Sequence, residues 1–268
     1  GSEIAERVWT TLGLERRLNP KLQFTSRDGF VENVAKKLER PPYFRRMEKL
    51  NLEGAPVLGP LPVPTPLNPP AFAEHVEDGL VLDTRMELGF TAAHVPGSLS
   101  IWLGGLASFA GWFLSYDEPI LLVNEADDPA AAVRHLIRLG YDDLAGTLSG
   151  GMLAWHMSGR RSGSIETVTV QELCHQLDAG GAGHILDVRS DGELARDGRI
   201  ADAQHIHITQ LPERVDEVPE DEPIYIFCGS GLRSTTAASF LERHGWQDLT
   251  VVLGGLAGWS STTCPIDL

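Results

Sequence analysis

Short runs of apolar residues recur from residue 80 onwards, each bounded by polar or turn-forming residues. The longest, Ile120–Val123 and Ile224–Phe227, contain no charged residue, which is typical of strands covered on both faces. Shorter runs precede them at Leu80–Leu82 and His184–Leu186, and Thr235–His244 has helical spacing. Because strands and helices alternate, the pattern predicts an α/β fold with a mainly parallel sheet and helices on both faces.

The same order of motifs occurs twice, at a constant separation of 104 residues. An Asp-x-Arg motif at residues 83–85 recurs at 187–189. Two further motifs keep the separation: Asp-Glu-Pro-Ile at 117–120 and 221–224, and Gly-Gly-x-x-x-Trp at 150–155 and 254–259. A period this regular indicates an internal duplication. The sequence therefore predicts two copies of one domain, a first copy over residues 70–163 and a second copy over residues 164–268.

The region ahead of the repeat has a different character. Residues 3–13, 26–39 and 43–51 have helical spacing and predict helices within a segment over residues 1–55. Six of the residues 56–69 are proline, which predicts a stiff, extended linker.

Charge and cysteine content limit the binding partners and the cellular location that the sequence allows. A net charge of −15 argues against nucleic acid and anionic membranes as partners, since both attract a surplus of Lys and Arg. No apolar run reaches the roughly 18 residues that a membrane span requires. The three cysteines have no CxxC spacing and do not suggest a disulfide framework. We therefore expect reduced thiols and a cytoplasmic protein.

Cys228 lies directly after an apolar strand and just before a helical segment. Ligands of open parallel sheets bind at the carboxyl ends of the strands, which is where this thiol is expected. Gly229 and Gly231 allow the backbone to curl with several N–H groups facing inward, and Arg233 adds a positive charge. Such a loop favours a bound anion and a thiolate nucleophile. The alternative is a buried packing cysteine at a strand end.

This loop, together with Asp187-Val188-Arg189 before it and Gly254-Gly255-x-x-x-Trp259 after it, resembles the rhodanese superfamily. The resemblance implies a sulfurtransferase in which Cys228 accepts sulfane sulfur, holds it as a persulfide and passes it to a thiol or cyanide. It implies thiosulfate or a small persulfide, such as glutathione persulfide, as the donor, and neither a cofactor nor a metal. The family pattern assigns substrate binding to Gly229, Ser230, Gly231, Leu232, Arg233 and Ser234. Asp187 and Arg189 are expected to brace the loop.

Cysteine phosphatases of related fold are the nearest alternative, and they place the arginine six residues after the cysteine. Here Arg233 lies five residues after Cys228, so the loop is one residue shorter. The shorter loop suits a single sulfur atom better than a phosphoryl group. Sulfur transfer is therefore preferred, while anion binding or arsenate reduction stays open.

The corresponding loop of the first copy has lost these residues. Asn124 stands in the position of Cys228, and residues 124–130 contain three carboxylates and no glycine. Such a loop should repel thiosulfate, so we expect an inactive first copy and an active second copy. A metal bound by Asn124 and Asp127 is the alternative, although nothing nearby supplies further ligands at a suitable spacing.

A shorter resemblance concerns residues 1–55. The motifs beginning at Asn19-Pro20 and at Pro41-Pro42-Tyr43-Phe44 are similar to the closing segment of persulfide dioxygenases of the metallo-β-lactamase fold. Some of those enzymes are fused to one inactive and one active rhodanese domain. Their iron-binding His-x-His-x-Asp-His motif is absent from this chain. The resemblance implies that the chain is the C-terminal part of a larger protein whose missing N-terminal domain is the dioxygenase.

Two functions remain: an enzyme that turns over small sulfur donors, or a docking module that receives sulfur from a partner domain with little turnover of its own. The other cysteines are expected to have minor roles. Cys174 is predicted to pack within a helix. Cys264 could act as a resolving thiol only if the C-terminal segment folds over the loop at Cys228.

Overall fold

The structure, a computed structural model, describes residues 9–35, 40–126, 128–181, 183–262 and 264. Contacts divide the chain into two units, residues 1–41 and 42–268. The first unit contains helix α1 (Leu12–Leu18), a 3-10 turn (Pro20–Leu22) and helix α2 (Arg27–Val34).

The N-terminal helices differ in their bounds from the sequence prediction. The helix predicted over residues 3–13 is wrong over 9–11, because the side chain of Thr11 accepts a hydrogen bond from Leu14 N and begins α1 at Leu12. Residues 3–8 of that prediction lie outside the described residues. The helix predicted over 26–39 ends at Val34, where Ala35 turns to extended backbone, and residues 36–39 also lie outside the described part.

The first copy contains a sheet of five parallel strands in the order β1-β5-β4-β2-β3. The strands are β1 (Pro66–Leu67), β2 (Leu80–Asp83), β3 (Leu99–Ser100), β4 (Ile120–Val123) and β5 (Leu144–Leu148). β1 belongs to the segment predicted as linker, and Thr147 N donates to Thr65 O beside it. An edge position tolerates proline, which has no N–H to donate. The described first copy therefore begins before residue 70.

The second copy repeats this sheet in the order β6-β10-β9-β7-β8, again all parallel. The strands are β6 (Glu166–Thr169), β7 (His184–Asp187), β8 (Gln204–His205), β9 (Ile224–Phe227) and β10 (Leu249–Leu253). Two sheets with one strand order confirm the predicted duplication and the α/β class.

Helices cover both faces of each sheet. In the unit 42–268 they are α3 (Tyr43–Glu53), α4 (Pro69–His75), α5 (Glu87–Ala92), α6 (Leu106–Phe113), α7 (Ala130–Arg138), α8 (Gly151–Met157), α9 (Val170–Asp178), α10 (Asp191–Asp197), α11 (Leu232–Arg243) and α12 (Gly255–Trp259). Successive residues of β2 point to opposite faces. Leu80 and Leu82 pack with α6 and α7, whereas Val81 packs with α4 and α8.

Helix α11 joins the two copies. Its residue Ser239 accepts a hydrogen bond from Ser100 N at 2.9 Å, and Glu242 contacts the buried ring of His94 at 3.0 Å. The main hydrophobic core runs through both copies without interruption. The helix that follows Cys228 is thus held by the first copy as well as by its own sheet.

Cys174 and Cys264 form a disulfide, so the expectation that these cysteines stay unpaired is wrong. The chain after α12 returns along α9, where Trp259 packs with Leu173. This path brings together two cysteines that are 90 residues apart, which no short motif reveals. Cys264 therefore lies on α9, not over the loop at Cys228 as a resolving thiol would.

None of the helices in the described ranges is long and apolar enough to cross a lipid bilayer.

Candidate active site

Cys228 is the first residue after β9, at the carboxyl edge of the second sheet, and its side chain is fully buried. Its Sγ accepts a hydrogen bond from Gly231 N at 3.1 Å. Gly231 has φ +118°, a conformation that glycine adopts without a Cβ clash, and it caps α11. The cysteine loop, defined here as residues 228–231, therefore closes around its own sulfur atom.

The start of α12 holds the other side of this loop. Three consecutive carbonyl oxygens accept hydrogen bonds: Cys228 O from Leu256 N at 2.9 Å, Gly229 O from Ala257 N at 3.1 Å, and Ser230 O from Gly254 N at 3.1 Å. A trans peptide plane places each C=O opposite the next N–H. Fixing these carbonyls therefore turns the amides of residues 229–231 to the opposite side of the loop, and that of Gly231 reaches Sγ.

The close approach of loop and helix depends on Gly255. A Cβ at this position would lie 2.2 Å from the carbonyl oxygen of Cys228, which is far inside van der Waals contact. Its φ of +44° is also in the left-handed region. The second glycine of the Gly-Gly motif therefore allows the cysteine loop to contact the start of α12.

Arg233 lies in the first turn of α11 and forms a two-point ion pair with Glu193 of α10. Nη1 donates to Oε2 at 2.7 Å, and Nη2 donates to Oε1 at 2.6 Å. This hydrogen bonding lowers the pKa of Glu193 to about 2, against the opposing effect of its partial burial. The same contact raises the pKa of Arg233. Oε2 of Glu193 also accepts from Ser190, which completes a capping box at the start of α10.

Sequence reasoning assigned Arg233 to the donor and overlooked Glu193. The guanidinium does reach the loop, since Nη2 lies 3.0 Å from the point where a Cβ on Gly229 would stand. Its positive charge, however, is paired with the carboxylate of Glu193. One signal could have pointed to Glu193: the first copy has Gly89 at the equivalent position, so the carboxylate is missing where the cysteine is also missing.

Asp187 and Arg189 form a buried pair beneath the loop. Asp187 accepts hydrogen bonds from the backbone N, Nε and Nη2 of Arg189, the shortest at 2.6 Å. Arg189 also donates to Gly198 O and stacks its guanidinium 5.2 Å from the ring centre of Phe227. Since Phe227 is the last residue of β9 and precedes Cys228, these contacts support the end of that strand.

The remaining predicted residues occupy different surroundings. Ser230 is exposed at the tip of the loop, and Leu232 is half-buried. Ser234 is fully buried, and its Oγ has no hydrogen-bond partner among the described residues. α11 begins at Leu232, three residues before the predicted start, because the left-handed Gly231 begins the helix directly after the loop.

A residue of the first copy also reaches the site. Cγ of Glu87, in α5, lies 3.8 Å from the point where a Cβ on Gly231 would stand. Oε2 of Glu87 is buried and has no hydrogen-bond partner in the described part of the chain. Sequence reasoning missed this contact, because nothing in one copy's motifs indicates which face of the other packs against them.

The equivalent loop in the first copy is arranged differently. Asn124 Oδ1 accepts from Thr84 Oγ1 at 2.9 Å, and its amide nitrogen donates to Thr147 Oγ1 at 3.3 Å. The side chain that replaces the cysteine is therefore engaged by two hydroxyl groups. Asp127, the other residue of the metal alternative, lies outside the described residues.

Comparison with known proteins gives a consistent family. The rhodanese-like domain matches residues 68–158 and again residues 169–262. A putative sulfurtransferase, YtwF of Bacillus subtilis (strain 168), is 30% identical over 101 residues, which cover 38% of this chain and 96% of that protein. A sulfurtransferase of Allochromatium vinosum is 33% identical over 82 residues, covering 31% of this chain and 76% of that protein.

A third relative has a more specific name. The thiosulfate sulfurtransferase GlpE of Vibrio cholerae is 25% identical over 103 residues, covering 38% of this chain and 92% of that protein. The two domain matches together span more than half of the chain, and each contains four of the five strands of one sheet. The chain therefore belongs to the rhodanese-like domain family and carries two copies of the domain in tandem.

Proposed function

We propose that the second copy is a sulfurtransferase that moves sulfane sulfur through a persulfide on Cys228. The donor is thiosulfate or a small persulfide, and the acceptor is a thiol or cyanide. The observation that carries the proposal is the arrangement of the cysteine loop. Its carbonyls bond to the start of α12, and the amide of Gly231 donates to Sγ, an arrangement that supports a thiolate or persulfide anion at this position.

In the first half-reaction, the thiolate of Cys228 attacks the sulfane sulfur of the donor. The bond between that sulfur and the rest of the donor breaks, and its electron pair leaves with sulfite or with a thiolate. The enzyme is left with Cys–S–S⁻. The amides of Gly229, Ser230 and Gly231, with Arg233 beside the loop, would bind the incoming anion and then the persulfide.

In the second half-reaction, an acceptor thiolate or cyanide attacks the outer sulfur of the persulfide. The S–S bond breaks, its electron pair returns to Cys228, and the product leaves as a new persulfide or as thiocyanate. Buried Asp187 and Arg189 hold the strand end still throughout. No cofactor, metal or net redox change is needed in this scheme.

Charge in the site favours a persulfide donor over thiosulfate. Arg233 shares its charge with Glu193, and Glu87 adds a second carboxylate near Gly231. Thiosulfate, a small dianion, is therefore attracted less strongly than it would be by an arginine that had no carboxylate partner. Thiosulfate remains within the proposal, supported by the name of the Vibrio cholerae relative.

The wider setting is also proposed. The N-terminal motifs fit a chain that works beside a persulfide dioxygenase of the metallo-β-lactamase fold, which would consume the same small persulfides. A cytoplasmic location would supply acceptor thiols in quantity, and Cys174 and Cys264 would be reduced there, since disulfides are rare in that compartment.

One observation favours the second candidate, a docking module with slow turnover. The side chain of Cys228 has no exposed surface, so a donor must displace part of the loop to reach it. A partner domain bound over the loop could supply that displacement.

Mass spectrometry of the intact protein tests the proposal. After treatment with thiosulfate or glutathione persulfide, the chain should gain the mass of one sulfur atom, and a thiol should remove it rapidly. Cys228→Ser should abolish both the gain and transfer to cyanide, while Cys174→Ser and Cys264→Ser retain them. Full transfer by Cys228→Ser would refute the assignment, and a sulfur gain that thiols discharge only slowly would favour the docking module.

A further inference from the structure

A cavity of about 700 Å³ opens at the carboxyl edge of the first sheet, between the loop after β4 and the start of α8. Its volume is within the range of pockets that hold small organic ligands. Polar groups and apolar side chains both line it. The lining includes Arg85, Asn124, Glu125, Thr147, Leu148 and Met152.

The cavity exists because the first copy lacks two contacts that close the same region of the second copy. In the described residues, no hydrogen bond joins the start of α8 to the loop after β4, whereas three join α12 to the cysteine loop. A Cβ on Gly151 would lie 4.0 Å from Asn124 O. In the second copy, a Cβ on the corresponding Gly255 would lie only 2.2 Å from Cys228 O. In addition, Gly89 has no side chain where Glu193 reaches across to Arg233.

Arg85 presents a fixed, unused donor group to this space. It is more than nine-tenths buried, with Nε and Nη2 bound to Asp83 and Nη2 also to Ala93 O. Nη1 takes part in none of the hydrogen bonds that Arg85 forms with the described residues. The pairing with Asp83 cancels most of the net charge, so Nη1 offers directional N–H donors suited to a carboxylate or carbonyl oxygen.

A carboxylate faces the same space. Oε2 of Glu125 lies 3.8 Å from the point where a Cβ on Gly89 would stand, and Nη1 of Arg85 lies 3.7 Å from that point. The two side chains form no ion pair with each other in the described structure. The gap between a guanidinium edge and a carboxylate is therefore open to a ligand that carries both complementary groups.

We propose that this cavity binds a small zwitterion with an amino-acid head group. Its carboxylate would accept from Arg85 Nη1, and its ammonium would donate to Glu125. The rest of the molecule would lie along the apolar wall at Leu148 and Met152. A simple anion would be repelled by Glu125, and a simple cation would leave Nη1 without a partner. This binding site is separate from sulfur transfer at Cys228.

Three matched probes test the proposal on the full chain: L-leucine, 3-methylbutylamine, which lacks the carboxylate, and 4-methylpentanoate, which lacks the ammonium. Saturation-transfer NMR at millimolar concentrations reports their binding. L-leucine should bind saturably, and each truncated probe at least about fivefold more weakly, since each loses one charge-assisted hydrogen bond. Equal binding of leucine and either truncated probe would overturn the zwitterion assignment, as would no saturable binding of leucine.

Two variants locate the probe. Glu125→Gln alters an exposed loop residue, and Gly89→Leu fills the gap without a close clash, since the nearest atom of the described residues outside its own helix lies 3.7 Å from its Cβ position. Both should lose leucine binding and keep sulfur transfer. Leu88→Gln, on the exposed side of the same helix, is the matched control and should keep both. With folding checked by circular dichroism, leucine binding that survives in Glu125→Gln or in Gly89→Leu would exclude this cavity.

Discussion

The position of Gly255 against the carbonyl oxygen of Cys228 determines the shape of the cysteine loop. A Cβ there would meet that oxygen at 2.2 Å, the carbon of Gly229 at 2.7 Å and the nitrogen of Ser230 at 2.7 Å. All three are backbone atoms, which cannot rotate away as a side chain could. Any side chain at residue 255 must therefore push the loop away from α12 and break the hydrogen bonds that orient its amides.

Gly255→Ala should lower kcat/KM for sulfur transfer by about tenfold or more, equivalent to about 1.4 kcal/mol of lost transition-state stabilisation. A cyanide-dependent thiocyanate assay measures this. Gly151→Ala is the matched control, because Gly151 also has a positive φ but the nearest described atom to its Cβ position outside its own helix is Asn124 O, at 4.0 Å. Activity within about twofold of the unaltered chain is expected for Gly151→Ala. Equal loss in both variants would mean that backbone strain alone, not loop contact, is responsible.

The sequence alone predicts the scaffold well. The apolar runs at β4 and β9 and the repeated Asp-x-Arg motif identify central strands and the duplication, because buried parallel strands require continuous apolar residues. The position of Cys228 directly after a central strand is predicted in the same way. These signals are local, so a single segment is enough to reveal them.

What the sequence does not predict depends on contacts between distant segments. Glu193 lies 40 residues before Arg233, and its capping box with Ser190 already accounts for a glutamate at that position. Glu87 comes from the other copy. Such pairings follow from how helices pack in three dimensions, and a sequence pattern within one segment has no information about them.

Glu193→Gln should change donor preference. Without the carboxylate, Arg233 keeps its full positive charge beside the cysteine loop, which attracts thiosulfate, with two negative charges on one small ion, more than a persulfide group, which carries one. The ratio of kcat/KM for thiosulfate to that for glutathione persulfide should rise about two- to fivefold, since the pair is partly exposed and screened. Glu217→Gln removes another two-point arginine pair, with Arg214, and should leave the ratio unchanged. A lower ratio in Glu193→Gln would show that Glu193 orients Arg233 towards the donor instead of competing with it.

Acid should weaken the fold partly through Glu193. Its pKa is lowered from 4.5 to about 2, first by hydrogen bonding to Arg233, so between these values the unfolded chain binds more protons than the folded one. The stabilisation from the charged carboxylate is complete above about pH 5 and is lost as the pH falls towards 2. Urea unfolding from pH 5 to pH 3 should show a decline for the unaltered chain that exceeds the decline for Glu193→Gln by about 1 kcal/mol. Identical declines would mean that the ion pair does not persist in solution.

The disulfide between Cys174 and Cys264 should stabilise the second copy without taking part in catalysis. It ties the segment after α12 to α9 and closes a loop of 90 residues in sequence, which restricts the unfolded chain. Cys264→Ser should lower the free energy of unfolding by about 2–4 kcal/mol in non-reducing buffer. Dithiothreitol should lower the urea midpoint of the unaltered chain to about that of Cys264→Ser, and it should leave the midpoint of Cys264→Ser unchanged. A response to dithiothreitol in the unaltered chain alone separates the effect of the cross-link from that of losing a packed sulfur atom. Sulfur transfer at Cys228 should persist in Cys264→Ser, because Cys264 packs on α9 and not on the cysteine loop. A midpoint of the unaltered chain that does not respond to dithiothreitol would contradict the cross-link, and loss of transfer in Cys264→Ser would give Cys264 a role in the reaction.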